Sequence, residues 1–124
     1  MAFIKSPQSP LYFAPAVYMQ LSEGGALLQH KFDVQCRRHT KSQLAALDAE
    51  VKAIATASDR DRKVFEAAIV GWRAVQDAQG VELPFSVETA EATEEQCPGF
   101  IASCVRAFYL SIHPVESAHL AAKN

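Results

Sequence analysis

The chain has 124 residues, 49% of them apolar, and sets 12 lysines and arginines against 14 aspartates and glutamates for a formal net charge of −2. That length fits one domain burying about two-thirds of its unfolded surface, and a single domain is the expectation. So small a net charge provides no global field toward nucleic acid or anionic lipid, which weighs against both as partners.

Cys36, Cys97 and Cys104 are an odd count without the spacing of a disulfide scaffold, and no charged segment followed by an apolar run opens the chain. A reducing cytoplasm is the expectation. Apolar runs such as Ala67 to Val70 fall far short of the roughly 20 residues that cross a bilayer, so a soluble protein is expected.

Residues 1–15 hold Pro7, Pro10 and Pro15 among Lys5, Ser6, Gln8 and Ser9, a density that suppresses helix and central strand alike. They read as an extended arm ahead of a single domain over 16–124. The arm carries Phe3, Ile4, Leu11, Tyr12 and Phe13, more apolar surface than a free tail exposes, which suits packing on the domain or on a neighbouring subunit. Ala16 to Leu21 and Ala26 to Arg38 flank Ser22-Glu23-Gly24-Gly25, a polar turn suited to a β-hairpin. In the second arm Leu28, His30, Phe32, Val34 and Cys36 lie two apart and form the expected buried face, with His30 at its rim.

Thr40-Lys41-Ser42-Gln43 matches a capping box, so a helix starts there with Leu44, Leu47, Val51 and Ile54 as its apolar stripe. Ser58 is the expected N-cap of a second helix, with Asp59 and Asp61 suited to its dipole. Val64, Phe65, Ala68, Ile69, Trp72 and Val75 give that helix the widest apolar stripe in the chain. Gly71 within it would cost about 1 kcal/mol relative to alanine, which implies a close approach by another group. Gly80 ends the segment, Pro84 keeps Leu83 extended, and Ser86 caps a short acidic helix to about Glu95. Pro98, in a first turn, opens a helix with Phe100, Ile101, Cys104, Val105, Phe108 and Ile112 on one face. Pro114 should end or kink it before an Ala-rich tail over 115–124. The expected fold is therefore α+β, predominantly helical, with an N-terminal β-hairpin followed by about four helices.

No catalytic pattern emerges. Cys36 and His39 are three apart, but Cys97 and Cys104 are seven apart across Pro98 and do not form a zinc knuckle. A Cys nucleophile with His39, His113 or His119 as base has no nucleophile elbow or phosphate-binding loop around it. Glu88, Glu91, Glu94 and Glu95 lack the alternating ligands and glycine of a calcium loop and read as a solvated face. Arg37, Arg38 and Lys41 form the main basic cluster, without the aromatics or extent of a nucleic-acid patch. The sequence thus reads as a non-enzyme without cofactor or metal.

Phe65, Val70, Gly71, Trp72, Val75, Asp77, Gly80, Leu83, Pro84, Phe85, Ser86 and Glu88 follow a pattern that resembles the short tail assembly chaperones of long-tailed bacteriophages and prophages. The resemblance covers most of residues 17–124. It takes in the hairpin ending Phe32-Asp33-Val34-Gln35-Cys36-Arg37-Arg38, the capped helix, a Gly71-Trp72 helix, the Pro84-Phe85-Ser86 segment and a last helix before Lys123-Asn124. The proline-rich arm, His39 in place of a Leu or similar residue, and Pro114 depart from the pattern.

The resemblance implies a protein of the host bacterial cytoplasm, absent from the mature virion, that binds the tape measure protein, keeps it soluble and promotes tail tube polymerisation. Its partners would be the tape measure protein, the tail tube protein and further copies of itself, with no nucleic acid or membrane partner. Relatives often also make a longer product by a −1 frameshift, and Ala122-Lys123-Asn124 is compatible with a slippery A AAA AAC run. Phe65, Trp72, Phe85 and Phe108 are assigned to the core, and Tyr12, Phe13, Arg37, Arg38, His119 and Lys123 to partner contacts. The alternative in the same interaction class is another morphogenesis or virion component, such as a head-tail connector.

Overall fold

The structure, a computed structural model, describes residues 2, 3, 5 and 8–113. Its first element pair is the expected hairpin. β1 (Leu11–Leu21) runs antiparallel to β2 (Leu27–Arg37), with Leu11 opposite Arg37 and Leu21 opposite Leu27. Gly25 closes the turn at φ 81°, and the Ser22 N–H donates to the Ala26 carbonyl at 2.9 Å. Leu11 to Pro15 therefore belong to the first strand, whereas the sequence suggested a separate arm. Pro15 is tolerated because β1 is an edge strand, where an absent N–H need break no ladder bond.

α1 (Lys41–Lys52) starts at the predicted capping box: Thr40 Oγ1 accepts from the Gln43 N–H at 3.2 Å, and Gln43 Oε1 accepts from the Thr40 N–H at 2.8 Å. Leu47 is buried, and Leu44, Val51 and Ile54 are half-buried on the same stripe. α2 (Ala57–Ala68) is capped by Thr56, two residues before the expected Ser58. Thr56 is extended, donates its hydroxyl to Asp59 Oδ2 at 2.6 Å and accepts from the Asp59 N–H, so the helix begins one half-turn early.

The largest departure follows. The sequence places Ile69 to Val75 in the second helix, but α2 stops at Ala68 and β3 (Ile69–Arg73) continues as a strand. It pairs antiparallel with β2, with Trp72 opposite Val34 and Gly71 opposite Gln35, giving the sheet order β1-β2-β3. Two facts favour the strand. Ile69 and Val70 are β-branched, and the β2 edge offers a ladder that a lone helical turn cannot match. Gly71 does permit a close approach, by the Gln35 side chain: a Cβ at Gly71 would lie 2.7 Å from Gln35 Oε1 and 3.3 Å from Gln35 Cβ.

α3 (Val87–Gln96) starts at Ser86 as expected, with its hydroxyl accepting from the Thr89 N–H at 2.9 Å. α4 (Phe100–Ile112) starts after Pro98, not with it in the first turn. Gly99 turns the chain at φ 96°, and the Glu94 carboxylate of α3 accepts from the Gly99 N–H at 2.6 Å and the Ile101 N–H at 2.9 Å. A carboxylate there suits both the unpaired amides and the helix dipole. Pro114 and the tail over 115–124 lie outside the described residues.

Among the described residues, α2 and α4 pack on the sheet, α1 packs on α2 and α3 on α4. Ala14 and Ala16 of β1, Phe32, Val34 and Cys36 of β2, and Ile69 and Trp72 of β3 are buried against Val64, Phe65 and Ala68 of α2 and Phe100, Cys104, Val105 and Phe108 of α4. The two alanines leave space for α4 to cross β1 closely. Trp72 stands at the centre: its ring meets Phe85 edge-on at 4.9 Å and Phe100 at 5.8 Å, and its Nε1–H donates to the Leu83 carbonyl at 2.8 Å. No helix among the described residues is long and apolar enough to cross a membrane.

Replacing Gly71 separates the strand from the predicted helix. In a helix, Gly71→Ala would stabilise by about 1 kcal/mol. In β3 it should destabilise by about 1 kcal/mol through the Gln35 contact, and a Gln35→Ala background should remove most of that loss. Urea denaturation of the single and double variants measures both.

Candidate interaction surface

Side chains alternate across a strand, so the inner face of β1, carried by Tyr12, Ala14, Ala16 and Tyr18, leaves the odd-numbered residues on the outer face. Those are Leu11, Phe13, Pro15, Val17, Met19 and Leu21, apolar without exception. Opposite them β2 presents Arg37, Gln35, Asp33, Lys31, Gln29 and Leu27. The outer face of the sheet is thus an apolar stripe along β1 beside a polar stripe along β2. Exposure rises toward the hairpin tip, from 41% at Phe13 to 52% at Met19 and 68% at Leu21. A contiguous exposed strip of this kind is a feature of interaction surfaces.

The tip also projects past the rest of the sheet. The β2–β3 pairing ends at Asp33 opposite Arg73, so Val17 to Leu21 and Leu27 to Lys31 stand as a two-stranded ribbon. Leu28 and His30, expected on the buried face, are exposed because they lie on that ribbon, beyond Phe32 where the core ends.

Two arginines clamp the other end. Arg73 reaches across the outer face, with Nε 2.7 Å from Asp33 Oδ2 and its guanidinium carbon 3.9 Å from the Phe13 ring centre. Arg38 lies 4.7 Å over the Tyr12 ring and donates Nε–H to the Ser9 carbonyl at 2.8 Å. Both geometries suit cation–π attraction.

The residues assigned to partner contacts are therefore divided. Phe13 and Arg37 share the outer face. Tyr12 points to the helical side, half-buried, with its hydroxyl 2.7 Å from Ser111 Oγ, and serves packing. Arg38 is exposed but tethered to Tyr12 and Ser9. His119 and Lys123 lie outside the described residues. Val17, Met19, Leu21 and Leu27 carry most of the exposed apolar stripe and escaped the sequence reading. Their signal was present: Leu11 to Leu21 is apolar at nearly every position and uncharged, a pattern that Pro15 broke in two.

Among the described residues, the groups considered for chemistry are largely built into the packing of the fold. Cys36 and Cys104 are buried in the core, and Cys97 is half-buried between α3 and α4. The His39 ring packs edge-on to Phe108 at 5.5 Å. Among the described residues no group of three His, Cys, Asp or Glu is placed to hold a metal ion. Glu91 pairs with Arg62, and Glu94 caps α4. Burial pushes the Cys36 thiol up to about 11 and raises Cys104 further, the opposite of what an activated nucleophile needs. Burial, then the nearby Glu94, raises the Asp61 carboxyl.

Comparison of the chain with protein-family models, with curated proteins and with solved structures finds no match. The surface is accordingly read from its own geometry.

The buried thiols have a consequence in alkali. The fold favours neutral Cys36, so its contribution is fully present below the ordinary thiol value of 9.0 and is lost as pH rises from there through about 11, and the raised Cys104 thiol acts in the same direction. Urea midpoints measured between pH 8 and pH 10.5 should fall, and Cys36→Ala should flatten part of that decline.

Proposed function

We propose that this chain is a tail assembly chaperone of a long-tailed phage or prophage, which binds the tape measure protein, keeps it soluble and promotes tail tube polymerisation. The observation that carries the reading is the uncovered apolar stripe of β1, with Val17, Met19 and Leu21 exposed beside Leu27. A tape measure protein presents long apolar helical stripes before its tube forms, and an apolar sheet face offers them reversible cover. The polar stripe of β2 would then meet the solvated side of the bound helix, with Lys31 and Arg37 free to pair with its acidic residues.

The sequence resemblance adds support through the hairpin, the capped helix, the Pro84-Phe85-Ser86 segment and the last helix. The Gly71-Trp72 element does not add to it as a helix, since it is β3. The proposal takes the fold as a mostly helical domain in which the N-terminal hairpin presents the binding face. It places the protein in the host bacterial cytoplasm during assembly and outside the finished virion, without catalytic activity or cofactor.

Co-expression with the longest helical protein encoded beside the chain's gene tests the reading. The long protein should remain soluble with the wild-type chain and precipitate without it. Phe13→Ser combined with Leu27→Ser, both on the outer face, should abolish most of that protection while leaving the circular dichroism spectrum unchanged. Stable retention of the chain in purified particles would instead identify a virion component such as a connector.

A further inference from the structure

The hydrogen-bond register of the hairpin fixes what the free edge of β1 offers. The Arg38 N–H donates to the Pro10 carbonyl at 2.8 Å and the Ser22 N–H to the Ala26 carbonyl at 2.9 Å. Within the register that pairs Leu11 with Arg37, these two bonds make the even-numbered residues of β1 the ones that exchange hydrogen bonds with β2. The odd-numbered residues must then direct their N–H and C=O groups away from the sheet. Pro15 fits this assignment, because its nitrogen, which carries no hydrogen, faces the free edge. Beyond Pro15 the edge presents the backbone groups of Val17, Met19 and Leu21, which no other strand among the described residues pairs with.

Such an edge is ordinarily guarded by lysine, glutamate, a bulge or a short strand. β1 is eleven residues long and contains no charged residue, and Pro15 is its one guard. Beside it runs a groove of about 570 Å³ between β1 and α4, lined by Ala16, Tyr18, Ser103, Arg106 and Leu110 among others. That groove gives an added strand room on the helical side.

We infer that two copies of this chain join through β1, antiparallel about a two-fold axis at Met19, so that two three-stranded sheets become one of six strands. The sequence of the edge selects a second copy as the occupant. About Met19, Val17 of each copy faces Leu21 of the other and Met19 faces Met19, all apolar and free of like-charge repulsion. The axis cannot move toward Pro15 without placing a residue that lacks a donor within the ladder. The register also brings Glu23, in the turn of each copy, opposite Pro15 of the other and next to Phe13, where the Arg73 guanidinium lies. The acidic turn of one copy thus meets the basic clamp of its partner, twice. Pairing through the edge leaves both outer faces open and joins their apolar stripes at the centre of the six-stranded sheet. The inference stands on backbone geometry and holds whatever the outer face binds.

Sedimentation equilibrium of the purified full chain, with amide hydrogen exchange, tests it. The wild type should be a dimer in which the Val17, Met19 and Leu21 amides exchange at least about tenfold more slowly than in the monomer. Met19→Pro removes one edge donor that β2 does not use, and should raise the dimer dissociation constant at least about tenfold. Val17→Lys, which places a charge on the exposed side of the same edge, should act in the same direction without touching the core. Glu23→Arg should weaken the dimer, and adding Arg73→Glu should restore it. A wild-type monomer at high concentration would overturn the inference. So would a dimer whose edge amides exchange freely, since the copies would then be stacked face to face, or a dimer unaffected by both Met19→Pro and Val17→Lys.

Discussion

The structure depends on the position of Trp72. Its indole closes the space between the sheet and the helices: Phe85 lies against one side, Phe100 against another, and Phe65 stacks on Phe85 at 5.8 Å. Only a strand puts it there. With Ile69 to Arg73 extended, Trp72 faces inward opposite Val34, while Gly71 and Arg73 face outward. A one-residue slip would exchange those faces, bringing an arginine inward and a tryptophan into water. The Nε1–H bond to the Leu83 carbonyl then fixes the extended Leu83-Pro84-Phe85 segment over the core.

That arrangement makes the sheet one-sided. Helices α2 and α4 cover the inner face, and Phe32, Val34 and Cys36 of the central strand are spent on the core. β1 pairs with β2 over its full length but extends beyond β3, so its distal half has no third strand beside it. An edge strand that is apolar on both faces has more to bury than its own domain supplies. The inner alanines pack against α4, and the outer stripe stays exposed to solvent.

Two uses of β1 are compatible because they employ different directions. Hydrogen bonding runs in the plane of the sheet, and side-chain burial runs perpendicular to it. Edge pairing consumes the backbone groups of Val17, Met19 and Leu21, while the outer face keeps its side chains available to a helix. Arg73 connects the two: it is held by Asp33, covers Phe13 at the margin of the stripe and faces the approach of an acidic turn.

The sequence by itself determined the elements with local causes. The Thr40 capping box, the Ser86 cap, the glycine turn after Ser22 and the apolar face from Phe100 to Phe108 depend on interactions within a few residues, and each is found where the pattern places it. Tertiary structure decided what local preference left ambiguous. Ile69 to Val75 has helical spacing as well as β-branched residues, and the vacant edge of β2 chose the strand. Glu94, five residues from Gly99, took over the start of α4 from Pro98 because its carboxylate reaches the unpaired amides. Pro15 breaks most strands, yet it fits one whose nitrogen faces away from its only neighbour. Of the candidate surface, Phe13 and Arg37 were legible as exposed groups, whereas Val17, Met19 and Leu21 became recognisable only when the sheet was seen to carry helices on a single face.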